Sequence, residues 1–377
     1  MNSAKLTILL FTLALTAHSQ VVTTLLDSDS IDIDDAIVLD AQGNLYGSHY
    51  MGTNVYKITP QGEVSIFATG FNTPNGLAFD GEGNLVVADH QGERLYKLSP
   101  TGEFLDTIPV GFPSGLLKDI NSDTVFVTSY NQSRVLKLAP DGSLHEWLSG
   151  APLNGVVGMC QDEMGRLYLG NFDDRRIHRW NGSSLEYIAT VPAPTVSVNK
   201  WLGFICYANG SIWATSLNAH RVYEVFPSFQ DSTRLVSGGD TAGHDDGPVA
   251  EARFEQPNGI FPSKTGDTIY VTEFSGGYVR MITGLAPDTV STVSVPEVLD
   301  VRFEVYPNPV HDVLNINLLN FESSEMLTIT ASDGKVVYRS ELRSASLQID
   351  ASAWSSGVYT GWLQSADKSE NFRVVKD

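Results

Sequence analysis

Arg94-Leu-Tyr-Lys-Leu-Ser-Pro-Thr-Gly-Glu103 is a short strand followed by its turn. Proline pre-sets one backbone angle of that turn and glycine accepts the angle other residues avoid. The same phrase stands 40 residues earlier as Asn54-Val-Tyr-Lys-Ile-Thr-Pro-Gln-Gly-Glu63 and 40 later as Arg134-Val-Leu-Lys-Leu-Ala-Pro-Asp-Gly-Ser143. Pro60, Pro100 and Pro140 keep that spacing, as do Gly62, Gly102, Gly142 and Gly182. A fixed period of this length is the mark of a repeat architecture.

Working outward, a second phrase precedes each first one. Asp40-Ala-Gln-Gly-Asn-Leu-Tyr46 returns as Asp80-Gly-Glu-Gly-Asn-Leu-Val86. Three looser copies follow: Gly165–Asn171 leads to Arg176–Trp180, Gly210–Ser216 to Arg221–Val225, and Gly266–Glu273 to Tyr278–Ile282. Each of the six copies holds four strands of about 4–6 residues separated by turn formers, which is the grammar of a propeller blade. One such blade cannot bury both faces, so six pack radially and close a ring. Closure needs a fastener, and either Val21-Val-Thr-Thr-Leu-Leu26 or Thr289-Val-Ser-Thr-Val-Ser294 supplies it. The expected fold class is all-β: a six-bladed β-propeller over residues 20–295, then a small antiparallel β-sandwich.

Residues 21–300 resemble the NHL-repeat family and the neighbouring SMP-30/gluconolactonase-like propellers. Pro74-Asn-Gly-Leu-Ala-Phe-Asp80 carries the likeness, and Gly243–Ile260 is similar to the longer NHL form, with its Asp-Gly, Ala-x-Phe and Pro-x-Gly-Ile elements. These propellers host lactonases, lyases and pure binding modules, so the resemblance fixes fold before function.

Beyond residue 300 the period stops. Residues 296–303 read as a linker and 304–377 as short strands opened by Val305-Tyr-Pro-Asn-Pro-Val310. This segment resembles the type IX secretion (Por) type A sorting domain of Bacteroidetes-type bacteria. Its Tyr-Pro-Asn-Pro opening, Asp333-Gly-Lys-Val hairpin, Ser355-Ser-Gly-Val-Tyr359 turn and basic Arg373-Val-Val-Lys376 end stand in the expected order. The resemblance implies export by the type IX machinery, then release or attachment at the outer surface. At the other end, Lys5, the apolar run Leu6–Ala17 and the small residues Ala17 and Ser19 read as a signal peptide over 1–19. That run is shorter than the ~20 residues of a spanning helix, and no later stretch is long enough.

The net charge of −20 excludes nucleic acid as a partner, because phosphates must be met by Lys and Arg. Cys160 and Cys206 are too few for a disulfide framework or a zinc site, and read as small core residues. The candidate site is the mouth of the central channel. Aligning the copies puts Asp35, Asn75, Ser114, Val157, Leu202 and Asn258 at the start of the innermost strands. In the SMP-30-like family this register holds a divalent cation, so the resemblance implies Asp35, Asn75 and Asn258 as oxygen ligands for Ca²⁺ or Mg²⁺. Pro-Asn-Gly is equally plain turn chemistry.

A second ring, at the ends of the second strands, reads His49, Asp89, Ser129, Asn171, Ser216 and Glu273, followed by Tyr50, His90, Tyr130, Phe172, Leu217 and Phe274. His49, Asp89, His90 and Glu273 are expected to converge on one sector, where a histidine beside a carboxylate can act as general base. His244-Asp245-Asp246 reads as a turn, and the acidic run Asp27–Asp35 as a solvated loop. Two functions follow from these readings: a binding or scaffold propeller facing an extracellular small molecule, glycan or protein, or a metal-dependent lactone hydrolase.

Overall fold

The computed structural model describes residues 20–28, 31–194, 200–274, 276–285, 303–306, 310–318, 326–331, 335–342, 344–364 and 369–376. The signal peptide, residues 296–302 of the linker and the alternative closing strand 289–294 lie outside them. The chain divides into two units, residues 1–289 and 290–377.

The first unit is a six-bladed propeller. Blade one is built from Ile37–Leu39, Leu45–Ser48, Asn54–Ile58 and Val64–Thr69, paired in that order. Blade two runs Pro74–Phe79, Leu85–Asp89, Arg94–Leu98 and Phe104–Pro109, and blades three, four and five repeat the pattern. The second strand is buried throughout in blades one to five, because blades cover it on both faces, with Leu85–Asp89 as an example, and mostly buried in blade six. The fourth strand meets solvent, and Phe104–Pro109 is exposed along most of its length. Innermost strands pack blade against blade around the whole ring, with Ile37–Leu39 against both Pro74–Phe79 and Pro257–Pro262.

Blade six takes its outer strand from the front of the chain. Val21–Leu26 pairs antiparallel with Val279–Thr283, Val22 facing Ile282. Gly247–Pro248 adds a short fifth strand outside it. The N-terminal strand is therefore the fastener. The apolar residues lie between the blades: Trp213, Val222, Phe254, Val271 and Ile282 share one cluster, and Cys160 and Cys206, both free and buried, lie on the innermost strands of blades four and five.

Glycine at the start of the innermost strands has a packing reason rather than a turn reason. Asn75 and Gly76 lie inside the strand Pro74–Phe79. A Cβ on Gly76 would stand 2.0 Å from the Ser114 carbonyl of the next blade, and one on Gly259 would stand 1.9 Å from the Asp35 carbonyl. The expectation of turn chemistry there gives way to close approach of neighbouring backbones. The second unit packs the sheet of Phe303–Tyr306, Val313–Leu318 and Ser346–Asp350 on that of Met326–Ala331, Val336–Glu341, Gly357–Gln364 and Ser369–Lys376. Leu314, Ile316, Ile329, Ile349 and Leu363 meet between the two sheets in one core, which makes a small β-sandwich.

Candidate functional site

The innermost strands begin at one end of the channel, and the residue preceding the close-packed glycine there faces a cavity of about 410 Å³. Asp35, Asn75, Ser114, Val157 and Asn258 line it as expected. Leu202 does not. It pairs with Ser216 in the register in which Pro113 pairs with Ser129 and Pro257 with Glu273. The axial position of blade five is thus Gly203, and Phe204 stands where blade one has Ala36 and the others have glycine, and lines the cavity. Leu202 turns into the core between blades. The blade lacks a Pro-x-Gly phrase, so its alignment slipped by one residue, enough to reverse a strand's faces.

Above this floor stands a collar of rings. Phe274, Tyr50, His90, Tyr130 and Phe172 come from the second-strand ends of blades six, one, two, three and four. Successive centroids lie 5.8, 6.1, 6.3 and 5.7 Å apart. Trp201, in the loop before blade five, stacks on Phe172 at 5.3 Å and extends the wall. Leu217 and Gln256 complete it. Trp201 and Phe204 escaped the sequence reading; an aromatic on each side of Leu202-Gly203 was the available signal.

The floor is polar and unevenly satisfied. Asn258 donates from Nδ2 to Asp35 Oδ1 at 2.7 Å and to the Asp34 carbonyl at 3.2 Å. Asn75 donates from Nδ2 to Ser114 Oγ at 3.1 Å. Asp35 Oδ2 and Asn75 Oδ1 are buried and have no hydrogen-bond partner. Burial, with the neighbouring Asp34 charge, pushes the Asp35 carboxyl well above the usual range, against the pull of the Asn258 hydrogen bond. Asp34 is turned the other way: it accepts from Tyr50 N at 2.7 Å and lies 3.9 Å from His49 Nε2. Burial raises it to about 7, opposed by the Tyr50 N–H and assisted by Asp32. The end of the acidic run is therefore buried rather than solvated, because it carries the chain to the innermost strand of blade one.

Of the four residues expected to converge, His90 alone lines the cavity. His90 Nδ1 lies 3.1 Å from the Pro113 carbonyl, an acceptor only, so it carries the proton. Burial lowers its pKa and favours the neutral ring. His49, Asp89 and Glu273 belong to a register that grips the loop leading into each blade. Asp89 accepts from Asn72 N at 2.9 Å with both oxygens and from Gly92 N at 3.3 Å. Ser129 donates to Gly111 O at 2.6 Å, Asn171 to Pro152 O at 2.8 Å and Ser216 to Pro192 O at 3.0 Å. His49 Nε2 lies 3.7 Å from Asp32.

In blade six this grip grows into an ion network. Glu273, fully buried, accepts from Arg280 Nη1 at 2.7 Å and holds His244 Nδ1. His244 Nε2 is 3.1 Å from Glu255. Arg280 Nη2 reaches Asp246 at 2.7 Å, and Asp246 accepts from Thr24 N and Oγ1 of the fastening strand. His244 and Asp246 are thus parts of the ring closure rather than of a plain turn.

For a divalent cation the donor set is thin. Among the described residues no three His, Cys, Asp or Glu side chains form a metal-binding group. Asp35 Oδ2, Asn75 Oδ1 and the Asn258 side-chain oxygen give three oxygens without a hydrogen-bond partner among the described residues, whereas Ca²⁺ takes six to eight, and the adjacent carboxylate of Asp34 is turned away. The residues present do not fit a resident Ca²⁺ or Mg²⁺.

Residues 304–377 match the family of secretion system C-terminal sorting domains. The chain is therefore exported, to the medium or the outer cell surface, and this segment is its address to the secretion machinery. No helix among the described residues is long and apolar enough to cross a membrane. No curated protein matches the chain in sequence. Solved structures match the propeller. An auxiliary nutrient binding protein from Bacteroides ovatus is 15% identical, with 72% of this chain and 77% of that one covered and a TM-score of 0.59. A gluconolactonase from Xanthomonas campestris is 17% identical, with 72% and 93% covered and a TM-score of 0.53. A virginiamycin B lyase from Staphylococcus aureus, a catalytically inactive variant with quinupristin, is 14% identical, with 71% and 96% covered and a TM-score of 0.50. The likeness is one of fold.

Proposed function

We propose that this chain is an exported ligand-binding propeller that holds a small molecule in its axial cavity. One observation carries the reading: rings from consecutive blades wall a cavity of about 410 Å³ whose floor offers open, buried oxygens. That volume and mixture, mostly apolar wall with a few convergent polar groups, is the usual make-up of a small-molecule site. The fold itself does not choose between binding and chemistry, since it serves a nutrient-binding protein and a gluconolactonase alike. The side chains favour binding. Hydrolysis needs a base and an electrophile at one place. His90 lines the cavity and could serve as base, but the oxygens of the floor fit no divalent metal, and no Lys or Arg among the described lining residues stands beside it as electrophile. His49, Asp89 and Glu273 are committed to loops and ion pairs.

The test is a thermal-shift screen of small molecules against the full chain and against Trp201→Leu. A ligand at a hundred times its dissociation constant adds about 2.7 kcal/mol, which is roughly 5–10 °C for a domain of this size. Hits are expected to stabilise the wild type and to lose most of that shift in Trp201→Leu. Hits indifferent to Trp201→Leu and to Phe172→Leu would remove the cavity as the site.

A further inference from the structure

The unpartnered buried atoms of the floor are both oxygens. Asp35 Oδ2 and Asn75 Oδ1 are buried without partners. His90 uses its Nδ1 proton on Pro113, which leaves the Nε2 lone pair of a neutral ring. Both side-chain N–H groups of Asn258 are spent on Asp34 and Asp35, and one of the two on Asn75 is spent on Ser114. Among the described residues no Lys or Arg lines the cavity. A ligand with N–H donors satisfies the Asn75 oxygen, and a positive charge set beside Asp35 favours the carboxylate that burial alone disfavours. An anionic ligand would instead repel that carboxylate.

The wall points the same way. Aromatic rings attract cations through their quadrupole, and a cage of several rings is the familiar receptor for an ammonium group. Tyr50, Tyr130, Phe172, Trp201 and Phe274 stand around the cavity. The chain's net charge of −20 draws cations from a distance. A bare divalent ion would use the oxygens but not the rings. The cavity of about 410 Å³ compares with ~30 Å³ for one water, far more room than one ion needs.

Resting on the ligand-binding reading above, we propose that the cavity takes an organic ammonium ion, whose N–H groups donate to Asp35 and Asn75 and whose carbon skeleton lies against the aromatic collar.

The experiment is titration calorimetry on the full chain with three probes of one size: benzylammonium, benzyl alcohol and benzoate, with CaCl₂ as a fourth arm. Benzylammonium is expected to bind at least tenfold more tightly than benzyl alcohol, and benzoate not at all. Asp35→Asn is expected to weaken benzylammonium by roughly thirtyfold or more and to leave benzyl alcohol little changed. If Asp35→Asn does not fold, Trp201→Leu replaces it, with a loss of benzylammonium affinity expected. Equal or tighter binding of benzyl alcohol or benzoate at the cavity overturns the cationic assignment and leaves the ligand-binding reading standing. Ca²⁺ binding that depends on Asp35 and displaces benzylammonium overturns it in favour of a metal site. No heat from any arm at millimolar concentration overturns both readings.

Discussion

Asp89 and His90 are neighbours in the chain and opposites in the molecule, and so are Glu273 and Phe274. The first of each pair points back into the blade and holds a loop or an ion pair. The second points into the axial cavity. Successive side chains of a strand alternate between its faces, so one residue's difference in register decides whether a group serves stability or recognition. The lesson recurs in the first blade, where Asp34 turns to Tyr50 N and His49 while Asp35 turns to the axis. The chemically loud residue types mostly fall on the structural side. The cavity side is largely aromatic, with its polarity confined to the floor.

The largest test of this division is Glu273→Ala. Arg280 and Glu273 are both fully buried, and removing one partner leaves an uncompensated charge. The expected cost is about 3–5 kcal/mol, on the order of 10 °C in melting temperature. The loss should exceed that of the pair alone, because Arg280 also holds Asp246 and, through it, the fastening strand at Thr24. Affinity for a cavity ligand, measured well below the melting temperature, should be unchanged. A stable Glu273→Ala protein that no longer binds would break the division between the two registers.

Asp34 offers the next effect, read through pH. Its carboxyl ionises near 7 in the folded chain against 3.8 without burial. Between those values the folded state keeps a proton that the unfolded state has released, so stability falls as pH rises from about 4 to about 7 and then levels off. The amount is roughly 4 kcal/mol at most, from about 1.36 kcal/mol per pKa unit. Asp35, raised by its own burial, acts in the same direction. Asp34→Asn should flatten the urea midpoint between pH 5 and pH 8 and raise it at pH 8. An unchanged slope would mean that the buried carboxyl gains nothing from its proton.

These contrasts mark how far the sequence could be read. The 40-residue period exposed the blades, since the same turn chemistry recurs wherever a third strand leaves for the fourth. The axial ring was legible in blades one, two, three, four and six, where the residue before Ala36 or the close-packed glycine faces the cavity. It failed in blade five, where Leu202-Gly203-Phe204 puts glycine one place early and the alignment followed the glycine instead of the strand register. The choice of fastening strand was not legible, because two β-rich segments of similar composition flank the ring and pairing with Val279–Thr283 is a long-range property. The parity of the second ring was missed for a related reason. His, Asp and Glu attract functional readings by type, whereas the face a strand presents is set by its pairing. Ser129, Asn171 and Ser216 at the same register carried the warning, being residues that commonly hold loops.

Asp89→Ala gives the smallest effect and the cleanest separation. Both carboxylate oxygens of Asp89 receive Asn72 N, and one also receives Gly92 N. Truncation leaves Asn72 N without its acceptor, while Gly92 N keeps the Asn72 carbonyl at 3.2 Å, in a part of the blade where Asp89 itself is 1% exposed. Water entering the vacated space will recover part of the loss, so the cost should be about 1–3 kcal/mol, below that of the ion pair in blade six. The loop from Asn72 leads directly into Pro74 and Asn75, whose oxygen faces the cavity, so the variant also asks whether the floor depends on this grip. If the grip is purely structural, chemical denaturation shifts while affinity for a cavity ligand changes less than about twofold. Asp89→Asn, which keeps one acceptor oxygen, should recover roughly half of the stability. A variant that lost binding at full stability would place Asp89 on the cavity side after all, and the alternation of faces along these strands would no longer account for the site.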